Sequence, residues 1–313
     1  MSGIVSRWLT GAGGTRFFTQ TYSATRQKAV LVFCHGFIEH IERYQHVFPV
    51  WADRGITVLA FDQRGFGRTA LDEEKSKDSV YGKSSLPEQM ADVEWAVSYA
   101  KNELAGGKPV FLMGHSMGGA IVLGYATRSP PMKTVSSLAG VIASSPLLCQ
   151  TKPAPKILRW VGGQASKILP NLTFKAEVNS ADLTHDPVVN DSYSTDPLVY
   201  EKGTLRQLRD MLNHGEQLLW NDYKDWPKDL PVLLIHGTED KVTSCKSTEE
   251  FFQNLPAQDK KLSLYPGGYH ELHNEPDGVK EKFIEECISW VEAHLPAEPS
   301  PSPAAAVVGP AKL

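Results

Sequence analysis

Gly114-His115-Ser116-Met117-Gly118 places a serine between two glycines, directly after the apolar run Val110 to Met113 and directly before an Ala/Gly/Leu-rich stretch of helical character. A serine at a sharp strand-to-helix turn is lifted out of the sheet edge toward the positive end of the following helix, which suits it to attack an acyl carbon. A serine hydroxyl is a weak nucleophile at neutral pH. It needs an imidazole base, itself oriented by a carboxylate, and in this setting the chain order is Ser, then Asp or Glu, then His. Asp240 ends the segment Val232 to Asp240, a buried strand running into Gly237-Thr238-Glu239-Asp240, with Glu239 as its rival. His270 follows the next strand, Leu262 to Tyr265, in the flexible run Gly267-Gly268-Tyr269-His270, with His273 as its competitor. The tetrahedral intermediate needs amide donors, each worth roughly 3 kcal/mol of barrier. The candidates are the amide of Phe37, in Cys34-His35-Gly36-Phe37 at the end of an early strand, and that of Met117, next to the serine. His35 itself reads as a structural residue that hydrogen-bonds the turn.

These residues must be carried by a largely parallel sheet, because from Arg16 onward short β-branched runs alternate with helical periodicity. The runs are Arg16 to Tyr22, Ala29 to Cys34, Ile56 to Phe61, Val110 to Met113, Leu138 to Ala143, Val232 to Ile235 and Leu262 to Tyr265. Several are apolar on both faces, as parallel strands must be. The clearest helix carries Leu86, Met90, Val93, Val97, Ala100 and Leu104 on one stripe, with Pro87 in its first turn and Ser85 and Glu88 as a capping box. The Pro-rich stretch Leu147 to Leu205 interrupts the alternation and shows no clear strand. The expected division is a core over 1–147, a cap over 148–205, the rest of the core over 206–295 with a last helix from Val279 to Leu295, and a disordered Pro/Ala/Ser tail over 296–313.

Six motifs, in order and well spaced from about Thr15 to Leu295, resemble the monoglyceride lipase family of serine hydrolases, its fungal members above all. They are His35-Gly36-Phe37-Ile38-Glu39-His40-Ile41-Glu42-Arg43-Tyr44, Asp62-Gln63-Arg64-Gly65-Phe66-Gly67, Gly114 to Gly119, Asp196-Pro197-Leu198, Gly237 to Asp240 and Tyr269-His270-Glu271-Leu272-His273-Asn274-Glu275. The resemblance implies an α/β-hydrolase fold, class α/β, with a mostly parallel central sheet, helices on both faces and an inserted cap. It implies cleavage of monoacylglycerols to glycerol and fatty acid, with no cofactor and no metal. It further implies Ser116, Asp240 and His270 as the triad, the amides of Phe37 and Met117 as the oxyanion hole, and Glu39, Arg43 and His273 with Tyr193 of the cap as a polar pocket for the glycerol head group. Glu39 and Arg43 also fit a structural ion pair, and Tyr193 a packing role. Where the family often has small residues after the His-Gly, this chain has Phe37 and Ile38, so a narrower, more apolar pocket is expected on that side. Lysophospholipase, carboxylesterase or acyltransferase activity would use the same residues. An aspartate nucleophile is disfavoured by Ser116, and a non-catalytic binding protein by the intact set.

Composition agrees with a globular chain of this kind. The 313 residues hold 32 basic and 36 acidic groups, a net charge of −4, which argues against a nucleic-acid partner. No apolar run reaches the roughly 20 residues that span a bilayer. Cys34, Cys149, Cys245 and Cys287 are scattered and form no metal-ligand or disulfide pattern. Met1 to Gly14 lacks the order of a secretory signal, so a cytosolic start is expected. Ala311-Lys312-Leu313 is similar to a peroxisomal address, which predicts an import receptor as partner and the peroxisome as destination, with cytosol or a lipid droplet surface as the alternative. Lys156-Ile157-Leu158-Arg159-Trp160-Val161 and Lys167-Ile168-Leu169 mix basic and apolar residues, and fit either a lipid interface or the lining of a substrate tunnel.

Overall fold

The computed structural model describes residues 3–296. Ten strands occur along it: β1 Ile4–Thr10, β2 Arg16–Tyr22, β3 Ala29–Cys34, β4 Ile56–Phe61, β5 Val110–His115, β6 Leu138–Ser144, β7 Thr173–Lys175, β8 Lys202–Thr204, β9 Val232–Gly237 and β10 Lys260–Tyr265. Eight of them form one sheet in the order β1-β2-β4-β3-β5-β6-β9-β10. Only β2 runs antiparallel to its neighbours. From β4 to β10 every pairing is parallel. The strands β3, β4, β5 and β9 are buried at every position, which is why their sequences are apolar without alternation.

Alternate side chains of each strand feed two cores, one per face. Val32, Leu112 and Leu234 join Ile121 and Phe251 on one side. Phe33, Ile142 and Ile235 join Trp51 and Phe283 on the other. The first face is covered by α3 Leu86–Tyr99, α4 Met117–Ala126, α7 Leu205–Trp220 and α8 Cys245–Asn254, the second by α1 Phe48–Asp53 and α9 Val279–Ala293. A short α2, Gly67–Leu71, follows the turn after β4. Between β6 and α7 the chain makes α5 Lys156–Ile168, α6 Pro187–Thr195 and the antiparallel ribbon β7–β8.

The structure departs from the sequence reading in four places. An extra strand, β1, pairs with β2 along its whole length; it is an exposed edge, so Ile-Val-Ser-Arg-Trp-Leu-Thr carries no alternation to reveal it. The Pro-rich stretch does hold strands, but of three residues each, too short to leave a pattern. Ser85 is the N-cap of α3, yet its hydroxyl donates to the Glu88 carboxylate at 2.6 Å rather than accepting from the backbone. The free N–H of Leu86 is taken instead by Asp210 of α7 at 3.2 Å. The apolar stripe to Leu104 is real, but its last turn, Ala100–Leu104, widens into a π-helix. Ala311-Lys312-Leu313 and the rest of the tail from 297 lie outside the described residues.

Candidate active site

The serine turn is built by the end of β5 and the start of α4. Ser116 has φ 56° and ψ −119°, a left-handed conformation that a non-glycine residue holds only when its surroundings force it, at a cost of about 1–3 kcal/mol. The forcing groups are visible. Ser116 donates its N–H to Ser144 O at 2.9 Å, and its own carbonyl accepts from Leu147 N at 2.9 Å. A Cβ on Gly118 would overlap the carbonyl oxygens of Cys34 and His35, and one on Gly114 would overlap that of Gly118. Both glycines of the motif are therefore required by backbone contact.

Asp240 and His270 arrive on the loops after β9 and β10, at the same end of the sheet as Ser116. The two loops are stitched together by Glu239 N to Gly268 O at 3.0 Å and Gly267 N to Thr238 Oγ1 at 2.9 Å. His270 Nδ1 lies 2.8 Å from Asp240 Oδ2. The other carboxylate oxygen accepts from the backbone N–H groups of Val242 at 2.7 Å and Thr243 at 2.9 Å, while Glu239 points into solvent. Burial alone would raise the Asp240 pKa, but the His270 charge and hydrogen bonds from His236 and His270 outweigh it and hold the carboxyl well below its usual range. His270 shows the converse. Its burial favours the neutral ring, yet Asp240, by charge and hydrogen bond, leaves its pKa above the ordinary value. Ser145 Oγ donates to the His270 carbonyl at 2.9 Å, and the His115 ring packs 4.7 Å from that of His270, so the residues flanking the serine turn also hold the imidazole. Among the described residues no hydrogen bond joins Ser116 Oγ to His270. Such contacts tighten in the substrate complex.

The second amide source is the turn after β3. His35 is buried and burial pushes its pKa down to about 3, so the ring is neutral. Gln63 N–H donates to its Nε2 at 2.8 Å, which puts the proton on Nδ1, where it donates to Gly36 O at 2.8 Å. This is the structural role read from the sequence. The turn passes against the serine, since a Cβ on Gly36 would come within 3.1 Å of Ser116 Cβ. Among the described residues, neither the Phe37 nor the Met117 amide donates to a protein acceptor. Ile38, fully buried, sits at φ 48°. The Phe37 ring packs on Phe66 at 5.6 Å and reaches Gly203 of the cap ribbon, so the bulk noted in the sequence lies between core and cap.

Of the polar residues expected around the head group, Glu39, Arg43 and Tyr193 are brought together. Arg43 Nη1 is 2.9 Å from Glu39 Oε2, and its guanidinium lies 4.8 Å from the Tyr193 ring centroid. Both terminal nitrogens of Arg43 donate to carboxylates and both oxygens of Glu39 accept from protein groups, however, which is the ion-pair reading. Glu39 also accepts from Gly36 N–H and from the Tyr44 hydroxyl at 3.0 Å. Arg43 makes a two-pronged contact with Glu271, at 2.7 and 2.8 Å, a partner the sequence reading left without a role. The Tyr193 hydroxyl has no protein hydrogen bond among the described residues. His273 lies apart from this cluster, stacked on Tyr44 at 4.6 Å and lining a cavity of about 10 Å³ with Trp51, His115 and Ser144. Burial takes its pKa down to about 3 and its Nε2 is unpartnered. Cap and core are joined once more by His40 Nε2 and Asp196 Oδ2 at 2.8 Å, which gives the Asp-Pro-Leu motif its place.

The profile of the serine aminopeptidase S33 family, Hydrolase_4, matches residues 25–277. A Schizosaccharomyces pombe relative, provisionally named a monoglyceride lipase, is 35% identical over 282 residues, which cover 88% of this chain and 71% of its own. The chain belongs to the monoglyceride lipase family. The monoglyceride lipase of Saccharomyces cerevisiae is 28% identical over 300 residues, 92% of each chain. A crystal structure of a soluble variant of the S. cerevisiae monoglyceride lipase, in complex with a substrate analog, superposes with a TM-score of 0.80 at 25% identity and covers 95% of this chain and 96% of that one. The α/β-hydrolase fold expected from the motifs is the fold observed.

Proposed function

We propose that this chain is a serine hydrolase that cleaves the ester of monoacylglycerols to glycerol and free fatty acid. The observation that carries the reading is the Asp240–His270 hydrogen bond on two stitched loops beside a serine forced into a strained turn. Ser116 Oγ attacks the ester carbonyl while His270 Nε2 takes its proton, and the imidazolium is stabilised by Asp240 through Nδ1–H. The carbonyl oxygen becomes an oxyanion facing the amides of Phe37 and Met117. The intermediate collapses with cleavage of the C–O bond to glycerol, which leaves with the proton from His270. Water then adds to the acyl-serine with the same base, releasing fatty acid and restoring Ser116. Tyr193, with its free hydroxyl, is the head-group donor, while Glu39 and Arg43 shape the pocket behind it. Ser116→Ala tests the assignment: it should abolish both monoacylglycerol hydrolysis and labelling by a fluorophosphonate, and retention of either overturns it. Product analysis on monoacylglycerol and lysophospholipid separates this substrate class from its nearest rival.

The cap supports contact with a lipid surface. Ile157, Trp160 and Ile168 of α5 are 77%, 65% and 80% exposed, with Leu158, Val161, Leu169 and Phe174 also facing out. Side chains that face solvent do not line a tunnel, so the interface reading is the better of the two. No helix among the described residues is long and apolar enough to cross a membrane. Peroxisomal import rests on Ala311-Lys312-Leu313 alone. Deleting those three residues from a tagged protein should disperse its punctate signal, and an unchanged pattern rejects the address.

A further inference from the structure

Glu271 follows the base directly and is buried, a place where a carboxylate is costly unless it is paired. Its oxygens accept from Arg43 Nη1 at 2.7 Å and Nη2 at 2.8 Å, and from Asn274 Nδ2 at 2.7 Å. Its backbone N–H donates to Leu183 O in the segment between β6 and α7, at 2.8 Å. Arg43 passes the connection on to Glu39 Oε2, and Glu39 Oε1 accepts from the N–H of Gly36. A continuous path of charge-assisted bonds therefore runs from the residue after His270 to the peptide before Phe37. It bridges 228 positions of sequence.

Two physical points give this path a task. A buried carboxylate–guanidinium–carboxylate triad is often no more stabilising than apolar packing of the same volume, so stability alone does not account for it. The two-pronged guanidinium contact fixes direction as well as distance. The turn it reaches also needs holding, since Ile38 sits in left-handed backbone that persists only where the surroundings over-determine it. We propose that Glu271 is a positioning residue for the reaction: through Arg43 and Glu39 it holds the Gly36–Phe37 turn so that the Phe37 amide meets the oxyanion in register with His270. The proposal rests on the assignment of His270 and the Phe37 amide given above. The same path engages both terminal nitrogens of Arg43 with carboxylates.

The test uses the full chain with Glu271→Gln, which keeps the size and one acceptor but loses the charge and the two-pronged contact. Four quantities are measured on a soluble short-chain ester: kcat, KM, and the inhibition constants of a trifluoromethyl ketone and of an unreactive ether analogue of the substrate. The ketone forms an oxyanion on Ser116, and the ether does not. All rates are normalised to sites titrated by a fluorophosphonate, so a loss of folded protein does not register as a loss of rate. Misplacing one oxyanion donor should lower kcat by about 10- to 100-fold. KM and the ether constant should stay within about threefold, and ketone affinity should fall in parallel with kcat/KM. Arg43→Lys, which has no fork to bridge two carboxylates, should reproduce the pattern and serves if the first variant does not fold. The double variant Glu39→Gln, Glu271→Gln should be no worse than the more impaired single one, because the same path is cut twice. An unchanged kcat, a loss confined to KM and the ether analogue, or fully additive losses would each overturn the proposal. Failure of the underlying site would show separately, as hydrolysis surviving Ser116→Ala.

Discussion

The strand-end loops around Ser116 and the cap helix α5 are built in opposite ways. Asp240, His270 and Ser116 are each less than 8% exposed, and their loops are bound to one another by backbone and side-chain hydrogen bonds at every turn. Helix α5 leaves three large apolar side chains more than 60% exposed and is tied to the rest mainly by packing on α7 and the Arg159–Glu216 ion pair. Groups that must meet a transition state to within a fraction of an ångström are set in a rigid frame. Groups that meet a disordered lipid surface need only exposure and area. The contrast predicts that changes in the first region alter rate constants, whereas changes in the second alter access alone.

The sharpest way to break that contrast is Asp240→Asn. It leaves the ring without the acceptor that fixes its tautomer and should lower kcat by about 10³- to 10⁴-fold with little change in KM; a loss below tenfold would remove Asp240 from the mechanism. The pH profile refines the same point. The neutral ring is the active base, and Asp240 raises the His270 pKa above the ordinary value, so the acid limb of kcat/KM should lie above about pH 6.5, with activity falling as pH drops through it. Residual activity of Asp240→Asn should show that limb displaced to lower pH. Linkage runs in the opposite sense: the raised pKa contributes stability that is fully present below the unfolded value and is lost as pH rises through the folded one. The cap should answer more mildly. Trp160→Ala with Leu158→Ser should weaken liposome sedimentation by about tenfold and slow hydrolysis of vesicle-borne monoacylglycerol accordingly, while kcat/KM on a soluble ester stays within about twofold. Unchanged liposome binding would return those side chains to a packing role.

What could be read in advance follows the same division. Ser116, Asp240 and His270 each sit just past an apolar strand, so the sheet's own periodicity announces where they are delivered. Elements that contribute little buried surface were invisible: β1 is an exposed edge, and β7 and β8 are only three residues long. Glu271 leaves little signal in the sequence for another reason. Its partner is far along the chain, and no spacing rule joins Tyr269-His270-Glu271 to the turn after β3. A weak clue existed in charge, since a carboxylate beside a buried base needs a cation, and Arg43 is the only Lys or Arg between His35 and Tyr44. Of the polar pocket expected from resemblance, Glu39, Arg43 and Tyr193 gather while His273 lies apart, and the resemblance is silent about how far they satisfy one another.

The serine turn has one more implication. Because a single methyl at Gly118 would collide with the carbonyls that end β3, and one at Gly114 with the backbone of α4, the reactive corner has no room for gradual change. Any route to a new substrate, by natural drift or by engineering, is confined to parts that can vary in small steps: the cap, the Phe37 ring and the exposed face of α5. Diversification on this scaffold should therefore alter what reaches the serine while leaving what the serine does untouched.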